Sequence, residues 1–319
     1  MKSTTIMTYR DPNRFFREAF ATHGSIRRHV ILHVLFFGIV STVILFASDA
    51  IEMYFRLRIV LEVAPYEVAG AALGLLLVLR TNAGYDRWWE GRKLWGAIVN
   101  QSRNFVIGAL SYGPDDPEWR ERIVRWTATF PHVARCSLRD EPPCSRIIAL
   151  VGVDEAAAIA KSAHMPSYVS ARLAEQLREA CDRHAMNSFA FLQLDKERAL
   201  LIDDIGACER ILKSPLPVAY SIETRRFLAL FLLMLPLVLL HHLEAIWMIP
   251  FITMIVAYPL LAIDQIGIEL QNPFVTRNLC HLPLDEICET IERNVTGMLQ
   301  DQRAMSLDPA VTPTSDSPS

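Results

Sequence analysis

An all-α membrane protein, with four transmembrane helices and a large cytosolic helical domain, is the fold class that this sequence predicts. Four strongly apolar stretches lie two and two around the polar residues 80–226. No stretch alternates between apolar and polar residues for long enough to predict a strand. With 51% hydrophobic and 21% charged residues, the composition suits a chain that is partly in a bilayer and partly in water.

The predicted spans are residues 30–46, 63–79, 227–240 and 245–263. At about 1.5 Å per residue, runs of this length nearly cross a hydrocarbon core of about 30 Å. Residues 1–29 are polar and Arg-rich, and no small-residue cleavage site follows the first apolar run. We therefore expect the first span to remain in the protein as an anchor.

Lys and Arg residues predict the orientation of the spans, because they concentrate in cytosolic loops. The connection within the first pair of spans carries only two arginines, and the connection at 241–244 has neither Lys nor Arg. The basic flanks all fall on the other side: Arg10, Arg14, Arg17, Arg27 and Arg28, then Arg80, Arg87, Arg92, Lys93 and Arg103, then Arg225 and Arg226. The sequence thus predicts a multi-pass protein of the cell membrane with both termini in the cytosol.

The polar middle, 80–226, predicts a cytosolic helical domain. Leu173, Leu177 and Cys181 recur at helical spacing. Helix breaks are predicted at Gly113-Pro114, Glu141-Pro142-Pro143, Met165-Pro166 and Ser214-Pro215-Leu216-Pro217. A second cytosolic helical segment is expected over 264–307, followed by a disordered tail over 308–319 that is rich in Pro, Ser and Thr.

The composition argues against several function classes. A net charge of −3 gives no indication of nucleic-acid binding. The six cysteines form no CxxC pair, and His281 beside Cys280 is a lone neighbour. We therefore expect neither a metal site nor a cofactor, and we expect the thiols to stay reduced in the cytosol.

The second span carries a stripe of small to medium apolar residues. Ala64, Val68, Ala72 and Leu76 follow one another at intervals of four, and Pro65 suits the first turn of the helix. Small residues allow helices to approach closely, so such a stripe is typical of a helix interface as well as of a pore. The residues alone leave both interpretations open.

Two charged residues of this region are candidates for an ion pathway. Glu67 is the single ionisable group inside the segment, and a carboxylate at membrane depth is costly unless it faces water or a partner. Arg80 opens the run 80–96, which is rich in Arg and Trp. Alone, this run could be an aromatic belt at the membrane surface.

The chain resembles the bestrophin family of ion channels, in its bacterial branch, over about residues 20–300. The family reads R-x-x-x-x-Y-x-R-W-W-E-G-R-x-L-W-G after its second span, as residues 80–96 do here. Further matches in the same order are Gly24-Ser25-Ile26, Cys208-Glu209-Arg210-Ile211 with Pro215 and Pro217-Val218-Ala219-Tyr220, Ile263-Asp264-Gln265-Ile266-Gly267, Asn272-Pro273-Phe274, Pro283-Leu284-Asp285 and Thr290-Ile291-Glu292-Arg293-Asn294.

This resemblance implies a homopentamer with one pore on the five-fold axis, whose partners are its own copies, the lipid bilayer and monovalent ions. It implies a hydrophobic neck lined by Ala64, Val68, Ala72 and Leu76. The family often has Ile or Phe in the neck, so alanine at two turns predicts a wide neck. Counting back from Pro217, it implies a cytosolic aperture at Phe189, although a place in the core remains equally open for that residue.

The resemblance also bears on calcium and on ion selectivity. Animal members bind calcium through acidic residues just after Asn-Pro-Phe, but here no acid follows before Asp285, so we expect no calcium activation. The family assignment implies an anion (chloride) channel. A ring of Glu67 would instead favour sodium or potassium, as in some bacterial members, whereas a ring of Arg80 would attract anions.

Three other classes remain as alternatives. A membrane hydrolase has only His241-His242 with Glu244 to offer, without a nucleophile or metal spacing. An oligomeric carrier would need broken helices, which Pro236, Pro250 and Pro259 weakly suggest. A membrane scaffold would explain the topology but not a small-residue helix that continues into a polar domain.

Overall fold

The structure is a computed structural model that describes residues 26–55, 61–184, 186–240 and 242–307. Within these ranges the regular structure is helical and contains no strand, which confirms the all-α prediction. The expectations for residues 1–25, for the tail 308–319 and for His241 lie outside the described residues. The helices are α1 (Arg27–Phe55), α2 (Val63–Tyr112), α3 (Pro117–Arg139), α4 (Ser145–Val151), α5 (Val153–Lys161), α6 (Met165–His184), α7 (Ser188–Lys213), α8 (Val218–Leu239), α9 (Ile249–Glu269) and α10 (Leu284–Leu307), with a 3-10 turn at Ile246–Met248.

The chain divides into two compact units. The first unit extends to Gly84 and resumes over Leu216–Leu270, and the second consists of Tyr85–Pro215 and the residues from Gln271 onward. Hydropathy alone sets the borders at 79, 226 and 263 instead. The first unit extends further because its packing continues past the apolar runs, through polar residues that are buried against one another.

In the first unit, α1 and α9 pack along each other, and α8 contacts both. The core includes Val34 of α1, Leu73 and Leu77 of α2, Leu228 of α8 and Ala257 of α9. Ser41 and Thr253 are both fully buried, and the hydroxyl of Thr253 donates to the carbonyl oxygen of Ile249 at 2.9 Å. The hydroxyl oxygens of Ser41 and Thr253 lie 3.3 Å apart, so Ser41 donates to Thr253 between α1 and α9.

Among the described residues, three helical segments are long and apolar enough to cross a membrane: His29–Tyr54, Val63–Tyr112 and Ile246–Glu269. They contain three of the four predicted spans. The other predicted span lies in α8, whose first half carries Glu223, Arg225 and Arg226. Its apolar part, 227–239, is only about 20 Å long, so the four-span topology remains a prediction.

Helix α2 does not end where its apolar run ends. It continues without a break from Val63 to Tyr112, over 50 residues. Beyond Arg80 its apolar residues are spaced for helical packing, since Trp95, Ile98, Phe105 and Ala109 are all fully buried. The first strong break is Gly113-Pro114, and the helix ends just before it.

The second unit has its core between α3, α6, α7, α10 and the C-terminal half of α2, with Trp119 and Phe130 fully buried. Helix α3 starts where Asp116 accepts a hydrogen bond from the backbone N–H of Glu118 at 2.9 Å. It ends at Asp140, whose φ of 55° is left-handed. The helices begin or end at each predicted break, with Pro166 in the first turn of α6.

Asp204 of α7 gives the second unit a pH-dependent stability. Its Oδ2 atom is buried without a hydrogen-bond partner among the described residues, and burial, together with the neighbouring Asp203, raises the pKa of this carboxyl to about 6. The folded state therefore binds the proton more tightly than the unfolded state does. Consequently, the free energy of unfolding should fall as the pH rises from about 4 to about 6.

Replacing Asp204 by asparagine removes this penalty. Above pH 6 the free energy of unfolding of Asp204→Asn should be about 1 kcal/mol higher than that of the wild type. Near pH 4 the free energies of unfolding of the two proteins should be equal. Asp203→Asn is the control, since that exposed residue should give a smaller gain. Urea titrations at pH 4 and pH 8 measure the difference, and a loss of stability at pH 8 would contradict the assignment.

Candidate ion pathway

One face of α2 packs inside the first unit. The hydroxyl of Tyr66 donates to the carbonyl oxygen of Phe231 at 3.1 Å, and the two rings stack with centroids 4.3 Å apart. A Cβ atom on Gly70 would lie 3.2 Å from the same ring, so a side chain there would push the ring outward by a few tenths of an ångström. Leu73 and Leu77 continue this face and are fully buried. These residues recur at helical spacing, so the packing face is continuous along the span.

The predicted neck residues lie away from that packing face. Ala64, Val68 and Ala72 are exposed, Val68 to 70%, whereas Leu76 is half-buried. Each step of four residues turns the stripe by about 40°, so Leu76 has rotated toward the packing face. Leu75, which is 61% exposed, lies in line with Ala64 and Val68, since seven residues turn the stripe by only about 20°.

The structure separates the two charged candidates. Glu67 is exposed near the start of α2. Arg80 is 1% exposed, and its Nη1 atom donates to Oδ1 of Asp264 in α9. The other oxygen of Asp264 accepts from Nε of Arg225 at 3.3 Å. The charge of Arg80 is therefore balanced inside the chain, and hydropathy gave no signal of this pairing.

The motif Ile263-Asp264-Gln265-Ile266-Gly267 has a structural use beside this ion pair. A Cβ atom on Gly84 would lie 3.0 Å from the carbonyl oxygen of Gly267, so the backbones of α2 and α9 approach closely there. Tyr220, from the Pro-Leu-Pro motif, donates its hydroxyl to the carbonyl oxygen of Leu76 at 3.3 Å. Several residues that mark the family thus hold α2 in place.

The Arg and Trp residues after the second span hold the second unit together. Nε of Arg87 donates to the carbonyl oxygen of Gln271 at 3.1 Å, and its Nη1 atom donates to that of Ser214. The indole N–H of Trp88 donates to the carbonyl oxygen of Cys280 at 2.7 Å. These three bonds tie α2 to distant parts of the chain, which is a use that an aromatic belt at a membrane surface would not predict.

Phe189 lies in the first turn of α7. Its backbone N–H donates to the side chain of Asn187 at 2.8 Å, which fixes the start of the helix. Its ring is 82% exposed, so Phe189 is not part of the core of the single chain, whereas Phe191 packs against that core. Leu192, one turn further, is 62% exposed beside it.

Asp285, the first acid after Asn272-Pro273-Phe274, forms ion pairs with two arginines. Arg139 donates to Oδ2 of Asp285 at 2.8 Å, and Arg135 donates to Oδ1. Partial burial acts to raise the pKa of Asp285, but the two guanidinium groups outweigh it and hold that pKa below its usual range. Both oxygens of this carboxylate are thus already in use as hydrogen-bond acceptors.

Known proteins are similar to this chain in sequence and in fold. A family model described as Bacterial/Fungal Bestrophin protein matches residues 6–297. A voltage-dependent anion channel-forming protein of Mesorhizobium japonicum is 32% identical over 292 residues, which are 91% of each chain. A protein of Nostoc sp. with the same descriptive name is 32% identical over 235 residues, 72% of this chain and 76% of the relative.

Solved structures agree with the sequence relatives. The crystal structure of a bacterial bestrophin homologue from Klebsiella pneumoniae superposes with a TM-score of 0.77 at 26% identity, covering 85% of this chain and 98% of that chain. The members of this family are ion channels and not enzymes. The chain belongs to the bacterial/fungal bestrophin family, and the resemblance inferred from its motifs is confirmed.

Proposed function

We propose that the protein conducts monovalent ions passively across the cell membrane, through a pore that five copies of α2 enclose. The observation that carries this proposal is the exposed apolar stripe of Ala64, Val68 and Ala72 on the side of α2 opposite its packing face. A stripe of small side chains leaves room on an axis of symmetry. The copy number of five comes from the family resemblance.

The pathway has a neck and a cytosolic aperture in this proposal. Leu75 and Leu76 continue the neck beyond Ala72, and five exposed rings of Phe189 form the aperture. Alanine at two turns keeps the neck wide, so it stays wetted more readily than a neck of bulky residues. Both termini and the second unit lie in the cytosol, as the distribution of Lys and Arg indicates.

We propose that the conducted ion is an anion such as chloride, which the names of the curated relatives support. Sodium or potassium is the second candidate, and it rests on Glu67. Five exposed carboxylates near the outer mouth would attract cations. Arg80 offsets them little, since Asp264 already neutralises it inside the chain.

Planar bilayers test the function directly. Purified protein in asymmetric sodium chloride should give an ohmic current, and the sign of the reversal potential identifies the conducted ion. A saturable exchange flux without steady current would mean a carrier, and the absence of both would mean a scaffold. Either result would overturn the proposal.

Glu67→Gln tests the local source of selectivity. Loss of five carboxylates should lower the permeability of sodium relative to chloride about fivefold, because together they contribute about 1 kcal/mol of attraction for a nearby cation through water. The measurement is the shift of the reversal potential toward the chloride equilibrium potential. Glu62→Gln is the matched control, as this exposed acid precedes the helix. Equal shifts of the reversal potential in the two variants would show that Glu67 contributes no more to selectivity than Glu62 does.

A further inference from the structure

A cavity of about 270 Å³ lies inside the first unit, between the first turns of α1, the middle of α8 and the end of α9. One part of its lining is polar and includes His29, Arg225 and Gln265. Another part is apolar and includes Phe37 and Leu228. A cavity whose lining is polar in one part and apolar in another suits an amphipathic ligand.

The change of polarity coincides with the predicted membrane boundary. The predicted spans begin at 30 and 227 and end at 263. The polar lining residues His29, Arg225 and Asp264 fall just outside these limits, whereas Phe37 and Leu261 fall inside. In the proposed topology the cavity thus crosses the level of the lipid headgroups on the cytosolic side.

The polar part carries an excess of positive charge. Among the described residues that line the cavity Asp264 is the one acid, and its two oxygens already accept from Arg80 and Arg225. One carboxylate between two guanidinium groups leaves one positive charge over. The Arg225 side chain is 57% exposed, and within the described part of the chain it forms an ion pair with Asp264 through Nε. Its two Nη atoms form a planar fork of the kind that binds phosphate.

We propose that this cavity binds the phosphate of an anionic phospholipid from the cytosolic leaflet. The fork of Arg225 holds the phosphate, and His29 and His33 add ring nitrogens beside it. The acyl chains follow the apolar lining toward exposed side chains of α1 such as Phe36. A zwitterionic lipid fits less well, since the described lining offers no free acid to its ammonium group.

The experiment uses the full chain, extracted from bilayers of equal parts phosphatidylglycerol and phosphatidylcholine, with native mass spectrometry of the retained lipid. The wild type should retain phosphatidylglycerol preferentially, and Arg225→Gln should reduce that enrichment about tenfold. Arg226→Gln is the matched control, because it removes the same charge one residue away. Arg226 pairs with Glu223 at 2.7 Å and does not line the cavity, so its enrichment should persist.

Ala229→Leu is a second variant, which fills the cavity without changing the charge and should also lose the bound lipid. Equal losses in Arg225→Gln and Arg226→Gln would overturn the proposal in favour of general surface charge. Displacement of the lipid by millimolar inorganic phosphate would likewise overturn it in favour of a free-anion site. The lipid site rests on the topology of the proposed function. Conductance measured in pure phosphatidylcholine distinguishes a failure of the lipid site from a failure of the channel function. Wild-type current there with equal retention of both lipids would refute only the lipid site.

Discussion

Replacing Ala72 by isoleucine should reduce the single-channel conductance on the order of tenfold or close the channel altogether. Ala72 is exposed on the face of α2 that points away from the buried Leu73 and Leu77. Five larger branched side chains at one level would narrow the neck and make it apolar enough to expel water. Single-channel recording in planar bilayers gives the size of the effect.

Gly74→Ile is the matched control, because it adds a branched side chain two residues later, about 200° around the helix. A Cβ atom on Gly74 would meet nothing within 4 Å, so this substitution enters open space away from the neck stripe. If Gly74→Ile closes the channel and Ala72→Ile does not, the pore-facing side of α2 has been placed wrongly. If both conduct as the wild type does, α2 does not line the pathway.

Replacing Asp264 by asparagine should destabilise the protein by about 3–5 kcal/mol. The substitution keeps the shape of the side chain but leaves the guanidinium of Arg80, which is 1% exposed, without a counter-charge. Removal of one partner of a buried ion pair costs far more than the pair contributes, because the remaining charge stays desolvated. Unfolding in mixed detergent micelles, followed by helix content, measures the loss.

Two further variants show whether the cause is the orphaned charge. The double variant Arg80→Leu with Asp264→Leu should recover most of the lost stability, since two apolar side chains replace both charges. Arg226→Gln, on the exposed side of α8, should change the free energy of unfolding by less than about 1 kcal/mol. A double variant as unstable as Asp264→Asn would mean that close helix packing, rather than charge, is lost.

The sequence predicted the helical class, the family and four spans, three of which lie in helices long and apolar enough to cross a membrane, because each leaves a linear pattern. Apolar runs and Pro-containing breaks are local, so they can be read without knowing which segments meet. The fate of Arg80 is not local, because its partner Asp264 lies 184 residues later. For the same reason Arg87 and Trp88 suggested a membrane surface, although their partners are carbonyl groups of distant loops.

The helix that contains the second span ends where the sequence predicts a break. Hydropathy falls after Leu79, but hydropathy does not set the end of a helix, and Pro114 is the first proline after Pro65. The predicted neck stripe follows steps of four residues, which drift around a straight helix. Because of this drift Leu76 is half-buried, whereas Leu75 is exposed in line with Ala64 and Val68.

The ion pair between α2 and α9 has a consequence for the nascent chain during synthesis. At a synthesis rate of about 5–20 residues per second, Arg80 leaves the ribosome roughly 10–40 seconds before Asp264. During that interval Asp264 is not yet available to pair with Arg80, so we expect the nascent chain to keep this arginine at the aqueous surface of the membrane. The buried position of Arg80 can form only after α9 has been made.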